Sequence, residues 1–360
     1  MKNRCVNIDW LEIFCSEPIT QPLNADYFIR KGYFVKQRDY GTPQYREMFT
    51  IYEHDFPFIE VRRNPYSLKP LGGIFNANDC HIRLCNRACY SLSPINDLRR
   101  FLIAHNYTYK SLTRIDICLD FNRFDKGTNP EVMMRDYMEG RISKINQCNI
   151  SAHGKDSFAG RIWNSVSWGS SKSPISTKLY CKSLELKEVK DKFYIRDAWA
   201  AAGLDITQNV WRVEFSVKSD YKHFVQLDTG EMLPNDLTAY DTRDKCLFRF
   251  HSFAAKYFHF KIVERKKDGT LQRKDRCKDK ILFCLTRDEC SYKPIRLTLD
   301  TEPDRTDKLL ANRLRQMFRD EYTQPNVKKA CQTIMVELLQ KHRMTTLSSY
   351  AYAIILESEK

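Results

Sequence analysis

The sequence lacks a long hydrophobic run: no stretch approaches the roughly 20 apolar residues that cross a bilayer, and the apolar start is interrupted by Asp9 and Glu12. We find no basic amphipathic terminal helix and no lipidation motif. Glycine and proline are scarce, at 12 and 13 residues, which argues against long flexible arms. We therefore expect a globular, cytoplasmic protein without a membrane partner.

Paired cysteines are also absent. The 13 cysteines are an odd number and form no CxxC pair, which argues against a disulfide framework and a zinc ribbon. The densest group, CHIRLCNRAC, contains Cys80, His81, Cys85 and Cys89 at spacings that do not fit the usual zinc sites. We expect these cysteines to be buried free thiols.

Acidic residues are in the minority, with 45 Asp and Glu against 59 Lys and Arg, for a formal net charge of +14. This charge favours a polyanionic partner, and without a membrane signal nucleic acid is the expected one. The 360 residues exceed the roughly 250 to 300 at which single cores stop growing, so we expect two packed units. We place a catalytic domain at residues 1–225.

The remaining residues, 226–360, form a basic strand and helix region in this interpretation. It is rich in aromatic and basic residues, has a likely hairpin turn at Asp268-Gly269, and is helical in pattern from 305 to 359, with a break at Pro325. We expect this region to contact the DNA origin or to complete the sheet of the catalytic domain.

Alternating β-forming runs fill the first part of the chain, for example VNIDWLEIF, REMFTIYEH, FIEVRRNP and CHIRLCN. Apolar residues at helical spacing predict helices near residues 94–106 and 129–141, the second capped by Asn129. The fold class predicted from these patterns is α+β, with an antiparallel sheet packed against helices.

Three later strands place chemically active side chains on their polar faces. TRIDICLDF alternates apolar residues with Asp116 and Asp120, TKLYCK carries Tyr180 between two lysines, and NVWRVEFSV carries Arg212 and Glu214. Each motif alone is more often structural. If the strands are neighbours in one sheet, however, their polar side chains share one face.

Grouped carboxylates suit a hard divalent cation, Mg²⁺ or Mn²⁺. A tyrosine hydroxyl has an ordinary pKa near 10, and it becomes a usable nucleophile when nearby cations favour its phenolate form. The combination is typical of enzymes that attack a phosphodiester.

The order TRIDICLDF, WGSSKS, TKLYCKSLE and VWRVEFSVK resembles the Rep_trans family, the replication initiators of rolling-circle plasmids and the related relaxases of conjugative elements. In that family an RIDxxxD strand is followed by a Gly-Ser hairpin, a segment like IYxKxxE with the nicking tyrosine, and a WRVE strand. The resemblance covers about residues 6 to 260. Cys181 stands where the family usually has Asp or Asn, and the histidine–hydrophobic–histidine motif of wider nicking enzymes is absent.

The resemblance implies metal-dependent, site-specific nicking and rejoining of one DNA strand at an origin, with the 5′ end joined covalently to a tyrosine. It implies double-stranded origin DNA and single-stranded nick-site DNA as substrates, with a host helicase, and a homodimer as a further option. The residues that it assigns are Tyr180 as nucleophile, Lys182 and Arg212 as stabilising cations, Asp116 and Glu214 as leading metal ligands, Asp120 and Asp9 as weaker ones, and Glu185 as a further nearby acid.

Two alternatives stay open from the sequence. Within the same class, the protein is a relaxase that mobilises a conjugative element rather than a replication initiator. In a different class, it is a catalytically silent DNA-binding protein that keeps the sheet and the charge. Tyr194 is the next candidate for the nucleophile if Tyr180 is not.

Overall fold

The chain divides into two compact units, Met1–Arg296 and Leu297–Lys360. The second unit, with the helices expected at 305–359, lies outside the residues that the computed structural model describes. The described residues are 3–69, 74–146, 148–158, 160–170, 172–188, 192–285 and 292–296.

The described part of the chain is α+β, which confirms the predicted fold class. Its strands, in chain order, are β1 (Arg4–Ser16), β2 (Phe34–Gln37), β3 (Tyr45–Glu53), β4 (Phe56–Pro65), β5 (Asp79–Leu84), β6 (Thr108–Phe121), β7 (Ile142–Lys144), β8 (Ile150–Ser157), β9 (Gly160–Trp168), β10 (Ile175–Cys181), β11 (Trp211–Lys218), β12 (Tyr221–Gln226), β13 (Met232–Pro234), β14 (Phe260–Ile262), β15 (Asp279–Lys280) and β16 (Tyr292–Arg296). The α-helices are α1 (Ala25–Arg30), α2 (Asn86–Cys89), α3 (Pro94–Ala104), α4 (Pro130–Met138), α5 (Lys182–Glu188), α6 (Phe193–Ala201) and α7 (Arg243–Tyr257).

One large antiparallel sheet organises the first unit, with ten strands in the order β2-β3-β4-β5-β1-β6-β11-β10-β9-β8. Its apolar face carries Ile115, Ile117 and Leu119 of β6, all fully buried. Helices α1, α3, α4 and α7 contribute side chains to the same hydrophobic core. The alternation read from TRIDICLDF therefore describes the two faces of β6 correctly.

The predicted helices are present with shorter ends. Asn129 caps α4 by accepting a hydrogen bond from the backbone N–H of Glu131, as expected. The helix ends near Met138, earlier than predicted, because Gly140 adopts a φ of 74°, which does not continue a right-handed helix. None of the helices in the described residues is long and apolar enough to cross a membrane.

Residues beyond 225 share the core of the large sheet. Phe250 and Phe253 of α7 pack against Phe215 of β11, with ring centroids 5.1 and 5.9 Å apart. The predicted turn at Asp268-Gly269 is confirmed, since Gly269 has a φ of 81° and its N–H donates to the carbonyl of Lys266. Two small three-stranded sheets, β13-β12-β16 and β15-β14-β7, complete the described structure.

The cysteine-rich segment belongs to the fold rather than to a site. Cys80, Cys85 and Cys89 are buried free thiols, as expected. Burial raises the pKa of Cys85 to about 11, so its unreactive thiol form predominates at neutral pH.

Candidate active site

The three strands with chemically active side chains are neighbours, as the sequence analysis required. Strand β11 lies between β6 and β10, and Arg212 is directly opposite both Asp120 and Tyr180. One step along, Glu214 is opposite Lys178, and the next pair places Asp116 opposite Ser216. The period of two therefore collects all the predicted strand residues on the face opposite the main core.

Tyr180 is nearly buried on this face, with 6% of its surface exposed. Its hydroxyl donates a hydrogen bond to Oε2 of Glu214 at 3.0 Å, and Nζ of Lys182 lies 3.5 Å from the same hydroxyl. Burial, followed by the charge of Glu214, raises the pKa of Tyr180 well above its ordinary value, although Arg212 opposes the shift. The raised pKa favours the protonated hydroxyl, and the Glu214 carboxyl is its hydrogen-bond acceptor.

Glu214 is the carboxyl group with the most consequential shift on this face. Burial, and next the negative charges of Asp9 and Asp116, raise its pKa to about 7. Arg212 and the Tyr180 hydrogen bond offset only part of this effect. A base whose pKa lies near neutral pH combines a large ionised fraction with useful basicity, which suits proton transfer.

Asp9 reaches this face through a β-bulge. The pairing of β1 with β6 shifts between Ile8 and Trp10, so Asp9 is the extra residue in β1. Its Oδ1 accepts a hydrogen bond from the Tyr90 hydroxyl at 2.7 Å and lies 2.9 Å from Nη1 of Arg212. Burial works against ionisation, but Arg212 and Lys182, with the Tyr90 hydrogen bond, outweigh it and bring the pKa of Asp9 down to about 2.

Arg212 and Asp120 form a fully buried ion pair beneath this face. Nε and Nη2 of Arg212 donate to the two oxygens of Asp120 at 2.6 and 2.7 Å, and Nε1 of Trp199 donates to Oδ2 at 2.6 Å. Both oxygens of Asp120 are thus engaged by protein donors. Its role as a metal ligand stays a prediction, and the visible role is to fix the guanidinium of Arg212.

The two remaining predicted residues, Asp116 and Glu185, each accept a hydrogen bond from a neighbouring cation. Asp116 is 4% exposed and accepts from Nε of Arg114 at 2.9 Å; burial raises its pKa, although Arg114 acts in the opposite direction. Glu185 lies one turn into α5, where its Oε1 accepts from Nζ of Lys182 at 2.9 Å. The structure therefore brings Glu185 near the tyrosine through Lys182.

Sequence reasoning missed two residues of the site, Tyr90 and Trp199. The Tyr90 hydroxyl accepts from Nη2 of Arg212 at 2.8 Å while it donates to Asp9, so it connects the two charges. Tyr90 directly follows the cysteine-rich segment and α2, outside the four motifs of the resemblance, and no sequence signal marks it as a site residue. Trp199 lies in α6, and the need of a buried indole N–H for an acceptor was the available signal.

The implied divalent cation can be tested against the donor set on this face. Asp9, Asp116 and Glu214 offer carboxylate oxygens. Burial and the charges of Asp9 and Asp116 raise the pKa of Glu214, and a cation between these groups would favour its ionised form. Within the described residues, no group of three or more His, Cys, Asp or Glu side chains is already arranged to hold a metal ion. The chemistry of the donors fits Mg²⁺ or Mn²⁺, although they do not form a ready-made cluster.

Comparison with known proteins adds little beyond the geometry. No protein-family model matches the chain, and no curated protein matches it. A solved structure described as a rolling circle replication initiator protein from Geobacillus stearothermophilus is similar, with a TM-score of 0.43 and 13% sequence identity. The match covers 75% of this chain and 93% of that one.

Proposed function

We propose that this chain is a rolling-circle type replication initiator that nicks and rejoins one DNA strand through a 5′-phosphotyrosyl link to Tyr180. The observation that carries the proposal is the hydrogen bond from the Tyr180 hydroxyl to Oε2 of Glu214, with the ammonium of Lys182 next to it. A buried structural tyrosine needs one hydrogen-bond acceptor, but not a carboxylate with a pKa of about 7 together with a lysine at the same oxygen.

In the proposed reaction Glu214 takes the proton of the Tyr180 hydroxyl as the phenolate oxygen attacks phosphorus. The new bond joins this oxygen to phosphorus, and the bond from phosphorus to the 3′ oxygen breaks. The released 3′ oxygen takes up a proton and becomes a free hydroxyl. Rejoining runs through the same steps in reverse, so the phosphodiester energy is kept in the phosphotyrosyl bond.

Two cations of the chain act on the charge that develops. Lys182 lies 3.5 Å from the phenol oxygen and stabilises the phenolate as its proton leaves. Ion pairs with Asp120 and Asp9 fix the position of Arg212, so its positive charge stays in place near Tyr180. Asp9, Asp116 and Glu214 are the residues that would hold Mg²⁺ or Mn²⁺, which supplies charge to polarise the phosphodiester when bound.

The proposal is tested with supercoiled plasmid that carries the cognate origin, with Mg²⁺ or Mn²⁺ present. The wild-type chain should relax the plasmid and form a DNA adduct that survives denaturant. Tyr180→Phe should do neither, yet bind duplex origin within a few-fold of wild type, because only the attacking oxygen is removed. A wild-type chain that shifts the plasmid without relaxing it is the silent DNA-binding protein. An adduct formed by Tyr180→Phe would move the nucleophile elsewhere, with Tyr194 next in line.

A further inference from the structure

A cavity of about 370 Å³ opens beside the active-site face, where four elements meet. They are the start of β4, the helix α2 and the strand β5 that precedes it, and the start of α6. The lining residues that bear on its use are Phe56, Arg83, Arg87, Lys192, Phe193 and Tyr194, and we call this cavity the aromatic–basic cleft.

The cleft presents exposed aromatic rings beside a guanidinium group. Phe56 is 40% exposed and Phe193 is 53% exposed, which is unusual for side chains that normally enter a core. The guanidinium of Arg87 lies 3.2 Å from the ring centroid of Phe56 and 5.0 Å from that of Phe193. Two open rings with a planar cation between them form a surface on which a flat, electron-rich ring system stacks.

Arg83, Arg87 and Lys192 line the cleft; Arg83 is paired with Glu60 at 2.7 Å, so Arg87 and Lys192 supply its positive charge. Nη1 of Arg87 is buried and has no hydrogen-bond partner among the described residues. Burial, and next the charge of Lys182, lower the pKa of Lys192, so these two ammonium groups repel each other. An unsatisfied donor and a net positive field both call for an anion.

The cleft adjoins the reacting groups. The ring of Tyr194, in its wall, packs edge-on against the ring of Tyr90 with centroids 5.3 Å apart. The hydroxyl of Tyr90 in turn bonds to Asp9 and Arg212 on the active-site face. The cleft is therefore linked to the active-site face through the contact of Tyr194 with Tyr90.

We infer that the aromatic–basic cleft binds one unpaired nucleotide of single-stranded DNA next to the nick site, with the base on Phe193 and Phe56 and the phosphate at Arg87. A base in a duplex is stacked on both faces and cannot offer itself to these rings, so the cleft selects unpaired DNA. Stacking on aromatic rings tolerates every base, so the contact positions the strand without reading its sequence. This inference rests on the proposed function, and it assigns residues that the bond-breaking steps do not use.

The test measures binding by fluorescence anisotropy, with the full chain in the Tyr180→Phe background so that no cleavage occurs. Three labelled probes are compared at one salt concentration: a (dT)20 strand, a 20-mer of abasic deoxyribose phosphates, and a 20-base-pair duplex. Phe193→Ala should weaken binding of (dT)20 by about 5- to 150-fold, the range expected for losing one stacked base. The same variant should leave the abasic strand and the duplex unchanged.

Matched variants separate stacking from charge and from folding. Phe193→Tyr should restore binding of (dT)20, because it restores a ring. Arg87→Gln should weaken binding of both (dT)20 and the abasic strand, because both carry phosphates. Tyr40→Ala, which removes an aromatic side chain that is 72% exposed on another loop, should have no effect. The melting temperature of each variant should equal that of its parent, so that a change in binding does not reflect unfolding.

The inference is overturned if Phe193→Ala binds (dT)20 as well as its parent does, or loses affinity equally for the abasic strand. Its failure is distinguishable from failure of the proposed function. A chain that relaxes the origin plasmid but shows no effect of Phe193→Ala loses only the cleft. A chain that never nicks, yet loses (dT)20 binding in Phe193→Ala, keeps the cleft and loses the nicking assignment.

Discussion

Glu214 connects the electrostatics of the sheet to the rate of the proposed reaction. Its carboxylate form accepts the proton of Tyr180, and this form predominates above its pKa of about 7. We therefore expect the single-turnover nicking rate to rise with pH through about 7 and then to level off. In Glu214→Gln the rate should fall by at least 100-fold, the usual scale for losing a positioned base, and this rise with pH should disappear.

The pH profile should be measured at a low, fixed metal concentration, because a cation beside Glu214 favours its ionised form and moves the rise to lower pH. A Glu214→Gln variant that keeps both the rate and the rise near pH 7 would assign the titration to another group. Asp9 does not account for a rise there, because its pKa is about 2.

The same residue predicts a cost in stability. The pKa of Glu214 is higher in the folded chain, at about 7, than its ordinary 4.5. The folded state therefore binds the proton more tightly, and the benefit of the protonated group is present below pH 4.5 and is lost as pH rises through 7. At pH 8 the buried negative charge costs on the order of 3 kcal/mol. Glu214→Gln removes this cost and keeps an oxygen that accepts from Tyr180, so its melting temperature should exceed that of wild type at pH 8.

Differential scanning calorimetry at pH 5 and pH 8 checks this prediction. The gain in melting temperature should be larger at pH 8, where wild-type Glu214 is ionised, than at pH 5. An equal gain at both pH values, or a loss at pH 8, would contradict it. The expected pair of effects, lower activity with higher stability, is the pattern of a strained functional group.

Asp116 is the ligand candidate that can be separated from folding by a matched control. Asp116→Asn should raise the Mg²⁺ concentration needed for half-maximal nicking by 10-fold or more, since an amide is a weaker ligand for a hard cation, and Mn²⁺ should rescue it in part. Asp79→Asn is the control, because Asp79 is similarly buried but lies on β5, where it pairs with Lys110 at the start of β6. If the metal dependence of Asp116→Asn is unchanged, Asp116 serves only to hold Arg114.

Helix α6 is attached to the active-site face through one side chain with two functions. Trp199 packs in a small second core with Cys5, Ile195 and Val210, and its indole N–H donates to Asp120. Trp199→Phe keeps the packing largely intact but leaves Oδ2 of the buried carboxylate with one donor fewer. We expect a loss of about 1 to 3 kcal/mol in the free energy of unfolding, measured by urea denaturation.

Phe193→Ala provides the control, because this residue lies on the same helix but is exposed and touches neither Asp120 nor the second core. Its free energy of unfolding should change by less than about 0.5 kcal/mol. Equal losses in the two variants would mean that the indole hydrogen bond contributes nothing of its own.

Strand alternation explains why so much of the face could be predicted. In β6 and β11 the side chains at every second position point to one side, so the sequence alone separates Ile117 from Asp116 and Val213 from Glu214. That the two strands pair directly depends on contacts between distant parts of the chain, which a period of two does not encode. The bulge at Asp9 interrupts the alternation, and Tyr90 comes from a segment without a pattern. These contacts could be found only in three dimensions.

The distribution of charge along the chain determines how the whole molecule should bind DNA. Residues 297–360 contain ten basic and nine acidic residues, which leaves 49 basic against 36 acidic, or +13, in residues 1–296. Phosphate contacts follow positive charge, whereas recognition of an origin depends on contacts with bases. The two contributions can therefore lie in different units of the chain.

A chain that ends at Arg296 tests this division, since that residue closes the first compact unit. Each phosphate contact contributes about 0.9 to the slope of log affinity against log salt for duplex DNA. We expect the truncation to change that slope for random duplex by no more than about 1, because the deleted residues carry a net charge of only +1. If residues 297–360 read the origin, the preference for origin over random duplex should fall by at least 10-fold, while cleavage of a single-stranded nick-site oligonucleotide continues.

A slope that flattens by the equivalent of several phosphate contacts would place those contacts in the deleted residues. Loss of the cooperative melting transition, together with loss of cleavage, would instead show that the deleted residues complete the fold.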